Sequence, residues 1–511
     1  MNPMTHPIND GNRGIHQLRR EVANIRNMLP GKKTCPIVLV PGFSGWGRPL
    51  LGTVNYFGGL TDLPLVLSQL GYIVIVVRIG PISTNRERAC EIFAQLTNIN
   101  SPRPGGFDPP GAAPPTFTRV DFGNAHPSPF PALVAIAQTW KAVVYDTPAN
   151  PLPAIWQWNA ANKINFICHS QGGTTIRYLI ELLSGTSDPN LPQFLGTNRQ
   201  SWINSVVTLG TPHKGTTVTG VDFLPPGNLD PLIDFITSCS FELRQNRIYD
   251  LHLDHWGFAR GPGETYKAMR ARIAPVVTTW WIGRHNGLYD NSLTGAADLA
   301  LFAPAPSPDI YYFTMSFCAT QPFPNRNLTA QDINEFLRLL LWGQIWNPLG
   351  VWGRVAAPFQ SLGTWLGVLP TLHAALTWIT DVADRHLQQM GYFSQIPRPG
   401  TQIPRPDMLP VIAFPSYAMG GPNIPEQFRP NDGIVNTRSM DGPVAGPVNN
   451  GNFAAQLAAA GPLGVRGIYW HLGTNSTIDH ADQIGVFTNA ATNSEVQVMY
   501  MLFAELGDRL C

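Results

Sequence analysis

The sequence predicts an α/β fold, a mostly parallel sheet with helices on both faces, and three observations carry that prediction. Short apolar runs alternate with amphipathic helical stretches through the N-terminal half, the rhythm of βαβ units. One run, Ile164 to Cys168, passes through His-Ser-Gln-Gly-Gly into a stretch where Ile176, Leu179, Ile180 and Leu183 recur at helical spacing. Far downstream, an acid in a turn-rich loop (Asp432) is followed by a histidine (His480).

Composition bounds the rest. A core of about 250 to 300 residues with insertions accounts for the chain length. Only 13% of residues are charged and the net charge is +1, so there is no electrostatic case for nucleic acid. The low charge fits loops rich in Gly and Pro, and it fits equally a surface that meets lipid. Six scattered cysteines without a CxxC pair suggest neither a disulfide framework nor a zinc ribbon. Met1 to Pro7 lacks the apolar core of a secretory signal, which favours an intracellular product, and no apolar run is long enough to predict a transmembrane helix.

In chain order, Ile15, Leu18, Val22, Ile25 and Leu29 are spaced as one face of a helix with Arg19, Arg20 and Arg26 between them. This predicts an N-terminal helical extension (1–34) lying on the main domain (35–511); a basic amphipathic helix also suits an anionic membrane surface. Cys35 to Val40 is an apolar strand ending in the loop Pro41-Gly-Phe-Ser-Gly-Trp-Gly-Arg48. Leu63 to Leu70 reads as helix, Tyr72 to Arg78 as buried strand and Asn85 to Leu96 as helix, before a Pro- and Gly-dense loop from Ser101 to Pro131. Trp202 to Leu209 is the next core strand. Asn228 to Leu243 places Leu229, Leu232, Ile233, Ile236 and Leu243 on one face, an amphipathic helix where a lid would lie, within about 216–247. Val276 to Ile282 and Asp309 to Cys318 read as strands. Leu328 to Met390, with a Thr329-x-x-Asp332 capping box and five tryptophans, predicts a helical insertion over about 322–408. After its Pro-rich end, Val411 to Phe414 reads as a return to the sheet.

The strand-turn-helix around Ser170 is the context in which a serine becomes a nucleophile. Such an elbow is strained and needs small neighbours, a need Gly172 and Gly173 meet; Cys168 stands where G-x-S-x-G has its first glycine. A serine hydroxyl attacks once a histidine takes its proton and a carboxylate fixes the imidazole tautomer. The chain order Ser, acid, His of the α/β-hydrolase fold selects Ser170, Asp432 and His480, with Asp441 and Asp479 as rival acids and His471 as rival base. Phe43 and Gln171 are the candidate oxyanion-hole donors through their backbone N–H groups, and Gly42 lets the loop turn. The chemistry requires no cofactor.

With these residues in view, the chain resembles the thermoalkalophilic Bacillus-type bacterial lipases, α/β-hydrolases with an extra zinc-binding domain. Matching segments are Gly42 to Arg48, Arg88 to Leu96, His169-Ser-Gln-Gly-Gly173, Thr211 to Thr216, Asp254-His-Trp-Gly257, Asn431 to Thr437 and Asp479-His480, colinear over about residues 36 to 500. The resemblance implies a lid helix, the triad Ser170, Asp432 and His480, and a carboxylic ester hydrolase, specifically a triacylglycerol lipase whose partner is a lipid or other acyl ester, met at a lipid interface. An acyltransferase or polyester esterase on the same triad, or a non-catalytic lipid-binding relative, are the alternatives. Pro41 replaces the histidine that opens the family's oxyanion loop. The family's zinc is held by two Asp and two His; Glu87, His126 and Asp254 stand at three of those positions and Ala132 at the fourth, a set one ligand short unless His252 or His255 turns inward. Near the base, Asp482, Phe487 and Thr488 occupy the family's calcium-ligand positions, with Asp in place of Glu, so calcium is not carried over intact.

Overall fold

Runs rich in apolar residues build the centre of the sheet. Strands β1 (Ile37–Val40), β2 (Val74–Val76), β6 (Ile164–His169), β7 (Ile203–Leu209) and β8 (Tyr311–Phe317) are buried at every residue, as parallel strands covered on both faces must be. The computed structural model describes residues 1–50, 52–97, 106–113, 115–123, 135–185, 188–220, 230–247, 249–323, 400–405, 407–408, 410–486 and 488–511. With β5 (Val143–Tyr145), β11 (Val448–Asn449) and β12 (Tyr469–Asn475), these strands form an eight-stranded sheet in the order β11-β12-β8-β7-β6-β1-β2-β5. All neighbours are parallel except β2 and β5.

Alternation along the strands divides the core into two layers. Ile37 and Leu39 join one apolar cluster with α1 (Arg13–Arg26) and α2 (Leu63–Gln69), whereas Val38 and Val40 join another with α3 (Asn85–Thr97) and α4 (Gln171–Ser184). The spacing that predicts α1 is realised: Ile15, Leu18, Val22 and Ile25 are fully buried in the first cluster. A hairpin of β3 (Phe117–Asp121) and β4 (Ile136–Trp140) stands apart from the main sheet. The amphipathic stretch after residue 228 is α5 (Asp230–Phe241), packed with α6 (Tyr266–Ile282) in a separate apolar cluster. Short helices α7 (Gly287–Asn291) and α8 (Leu293–Phe302) lead to β8. Later come α9 (Pro410–Met419), α10 (Phe453–Ala460) and α11 (Ala490–Leu510), the last packing in the first cluster.

Two expected strands are helices. Val276 to Ile282 is the end of α6: Met269, Ile273, Val277 and Trp280 are its buried residues, a helical period that overrides the β-branched and aromatic composition of the final turn. Val411 to Phe414 lies in α9, where Ile412 and Ala413 pack with Ala319 and Met408 away from the sheet. Four apolar residues in a row carry no period to separate the two states. Residues 324–399, most of the expected insertion, lie outside the described residues, as do 221–229 of the expected lid segment and much of the loop from Ser101 to Pro131. The insertion's flanks are adjacent, because β9 (Thr320–Phe323) and β10 (Thr401–Pro404) pair antiparallel.

Cys35, just before β1, and Cys511, after α11, are joined by a disulfide with their Cα atoms 6.4 Å apart. The absence of any spacing signature hid this pair, and a bond of this kind persists in oxidising compartments, in tension with the expectation of an intracellular product. Replacing Cys511 by Ser is expected to cost about 2–4 kcal/mol of stability, read from the denaturant midpoint. Alkylation in denaturant without reductant should label only Cys90, Cys168, Cys239 and Cys318; labelling of Cys35 as well would remove the basis for that loss.

Candidate active site

Ser170 sits between β6 and α4 at φ 53° and ψ −129°, a conformation non-glycine residues avoid. Backbone ties hold it there. Its N–H donates to Leu209 O at 2.9 Å, and its carbonyl accepts from Gly173 N–H at 3.1 Å and from the Thr211 hydroxyl at 2.8 Å. The two glycines after it are required by close approach: a Cβ on Gly172 would lie 2.6 Å from Val40 O, and one on Gly173 would lie 2.3 Å from Thr211 Oγ1.

The structure brings the three residues chosen on chain order into one hydrogen-bonded line. His480 Nε2 is 3.0 Å from Ser170 Oγ, and His480 Nδ1 is 2.7 Å from Asp432 Oδ2. Asp432 is fully buried; its Oδ1 accepts the Ile434 and Val435 N–H groups at 3.0 and 2.8 Å. Gln483, which sequence reasoning missed, donates Nε2–H to the same Oδ2 at 2.7 Å. The rivals are engaged elsewhere. Asp441 pairs with Lys214, Asp479 accepts the Ala481 and Asp482 N–H groups, and His471 faces Thr314.

The loop after β1 runs against the serine, since a Cβ on Gly42 would fall 2.5 Å from Ser170 Cβ. Phe43 and Gln171 meet beside Gly287, whose added Cβ would contact Gln171 Oε1 at 2.8 Å and the Phe43 ring at 2.9 Å. Gln171 opens α4, so its N–H is one of the four at a helix start without a helical acceptor. Two more residues invisible in the sequence pattern support the loop. Gly42 N–H donates to the Tyr56 hydroxyl at 2.8 Å, and that hydroxyl stands 2.7 Å from His169 Nδ1. Burial, then the His480 ring 4.6 Å away, holds His169 well below the usual imidazole range, so it is neutral and can accept from Tyr56. Arg88, fully buried, donates to the carbonyls of Pro41, Gly42 and Gly80 and to Thr175 Oγ1.

Beside the base, burial and then the Asp479 carboxylate push Asp482 up to about 8. A folded pKa above the unfolded one means stability that is complete below the ordinary carboxylate range and is lost as pH rises through about 8. In Asp482→Asn the fall in melting temperature between about pH 5 and about pH 9 should be smaller. Parallel profiles for the two proteins would rule out this origin. Of the other expected calcium-ligand positions, Phe487 lies outside the described residues.

Of the implied zinc ligands, only Glu87 and Asp254 lie among the described residues. His126 and Ala132 lie outside the described residues. Glu87 is buried with Arg86 Nη1 3.8 Å from its carboxylate, and Asp254 faces Arg244 at 3.3 Å and Arg247 at 3.5 Å. Each of these carboxylates thus faces a guanidinium group among the described residues, Arg86 being shared with Asp188 and the other two with Asp250. His252 and His255 do turn inward, toward Glu91.

Comparisons with known proteins agree with this architecture. Residues 117–348 match the family described as lipase-like, C-terminal domain. Lipase 1 of Staphylococcus aureus is 28% identical over 328 residues, which cover 61% of this chain and 43% of that protein. The chain thus spans less than half the length of the curated relatives it matches. The crystal structure of Staphylococcus hyicus lipase aligns with a TM-score of 0.60 over 94% of this chain and 97% of that one at 20% identity, a likeness of fold. Lipase 1 from Pelosinus fermentans aligns with a TM-score of 0.53 over 93% and 98% at 26% identity. Family match, sequence relatives and solved structures point the same way: over residues 117–348 and along the aligned 61% of its length, this chain is similar to bacterial lipases.

Proposed function

We propose that this protein hydrolyses carboxylic esters of lipids through an acyl-enzyme on Ser170, with triacylglycerol as the substrate class. The observation that carries the reading is the line Ser170 Oγ, His480 imidazole, Asp432 carboxylate on a strained elbow. Ser170 Oγ attacks the ester carbonyl while its proton passes to His480 Nε2, and Asp432 stabilises the imidazolium through Nδ1–H. The oxyanion accepts from the Phe43 and Gln171 N–H groups. Collapse expels the alcohol, which takes the proton from His480. Water then adds to the acyl-enzyme with His480 as base, releasing the fatty acid and restoring Ser170.

The preference for lipid rests on the α5 and α6 pair, read as the lid. Leu232, Ile233, Ile236 and Cys239 of α5 bury their side chains in the same cluster that Phe43 of the oxyanion loop packs against. Displacement of the pair would expose apolar surface beside the serine, a state an oil surface stabilises. The test is hydrolysis of p-nitrophenyl esters of graded chain length beside an emulsified triacylglycerol. Rates should rise sharply as substrate passes from solution into emulsion. A hyperbolic response through that transition would leave a soluble esterase, and no hydrolysis of any ester would end the proposal.

A further inference from the structure

Glu91 stands one helical turn beyond Glu87 in α3 and is fully buried. Its Oε2 accepts the Gly80 N–H at 2.7 Å, while Oε1 takes the Thr139 hydroxyl at 2.8 Å and lies 2.5 Å from His252 Nδ1. His255, in the turn Leu253–Trp256, is 1% exposed. Its Nε2 is 2.7 Å from Gln138 O. A carbonyl only accepts, so the proton is on Nε2 and the lone pair is on Nδ1. Among the described residues that buried Nδ1 has no hydrogen-bond partner, and it lies 3.9 Å from Glu91 Oε1. Buried polar atoms are rarely left so, and a bound ion is one of the few reasons. One ligand atom from each of the three residues falls within 4.8 Å of the others.

We propose that Glu91, His252 and His255 bind one divalent cation of the zinc type, in place of the Glu87, His126 and Asp254 set that the family resemblance implies. Two imidazole nitrogens and one carboxylate oxygen are a donor set zinc accepts, with water completing a tetrahedron. Bond lengths near 2.1 Å place two donors of a tetrahedral ion about 3.3 to 3.5 Å apart. The 3.9 Å gap from His255 to Glu91 closes to that with a shift of a few tenths of an ångström, and His252 eases back from its hydrogen-bond distance. His252 then ligates through Nδ1 with its proton on Nε2, 3.9 Å from Asp250 Oδ2. The Gln138 carbonyl, 2.7 Å from His255 Nε2, is the outer hydrogen-bond partner that orients a ligating imidazole. Among the described residues Asp250 and Asp254 pair with the guanidinium groups of Arg244 and Arg247, whereas the Glu91 carboxylate has His252 and His255 within ion-pair distance. His252 and Asp250 also line a cleft shared with Arg48, Arg78 and Tyr249. A bound ion would fasten α3 to the segment ahead of α6 without touching the triad.

Chelator-stripped protein titrated with zinc chloride in a calorimeter should bind one equivalent per chain and gain in melting temperature. His255→Ala and Glu91→Gln should each weaken binding by roughly 100-fold or more, whereas Glu87→Gln should bind as the parent does. Absence of stoichiometric binding overturns the site, and so does binding that survives His255→Ala or is lost in Glu87→Gln. Should His255→Ala not fold, the parent loaded with cobalt(II) decides. Two paramagnetically shifted imidazole N–H signals and a four-coordinate visible spectrum support the site, and their absence overturns it.

Discussion

Ser170→Ala is expected to lower kcat for ester hydrolysis by roughly 10⁴- to 10⁶-fold, leaving the fold and substrate binding intact. The Ser170 hydroxyl lies 3.0 Å from His480 Nε2, whereas the elbow is held by backbone ties to Leu209, Gly173 and Thr211 that alanine keeps. Alanine tolerates the positive φ no better and no worse than serine, so the melting temperature should hardly move. Asp432→Asn should fall by about 10⁴-fold, because an amide in place of Oδ2 no longer fixes the His480 tautomer. Hydrolysis within tenfold of the parent in Ser170→Ala would remove the acyl-enzyme reading.

The parts of this molecule that were legible in the sequence are those whose cause is local. Gly172 and Gly173 are read as elbow glycines because backbone approach there excludes a Cβ, and the atoms they would strike belong to β1 and Thr211. Ile15, Leu18, Val22 and Ile25 announce α1 through their period alone. The run Val276 to Ile282 misled because a seven-residue window hides a period that Met269 and Ile273 complete. What could not be read is whatever depends on residues distant in the chain. Tyr56 meets His169 because β1 and β6 are neighbours in the sheet, and Gln483 meets Asp432 across 51 residues of chain. The Cys35 and Cys511 pair closes nearly the whole chain. Resemblance aligned Asp254 with a metal ligand but could not say that its two flanking histidines, rather than the carboxylate, face α3.

Arg88→Met is expected to cost both stability and turnover. The guanidinium is fully buried, and its hydrogen-bond acceptors are neutral oxygens: Gly42 O at 3.0 Å, Gly80 O at 3.3 Å, Thr175 Oγ1 at 3.0 Å and Pro41 O. Burial pushes its pKa down to about 10, which still leaves it charged at neutral pH. Methionine fills much of the space but donates nothing, so three carbonyls lose a donor at about 1–3 kcal/mol each, offset in part by no longer burying a charge. A net loss of about 3–5 kcal/mol is the expectation. Two of these carbonyls, Pro41 O and Gly42 O, belong to the peptides leading into Phe43; with its N–H as the proposed oxyanion donor, kcat should drop by about 10²- to 10³-fold, the scale of losing one such donor, with KM little changed. Arg88→Lys keeps the charge but lacks the planar fork, and should recover part of the stability and less of the rate. A variant that is destabilised while kcat is unaltered would show that the Tyr56 hydroxyl alone holds Gly42 in place.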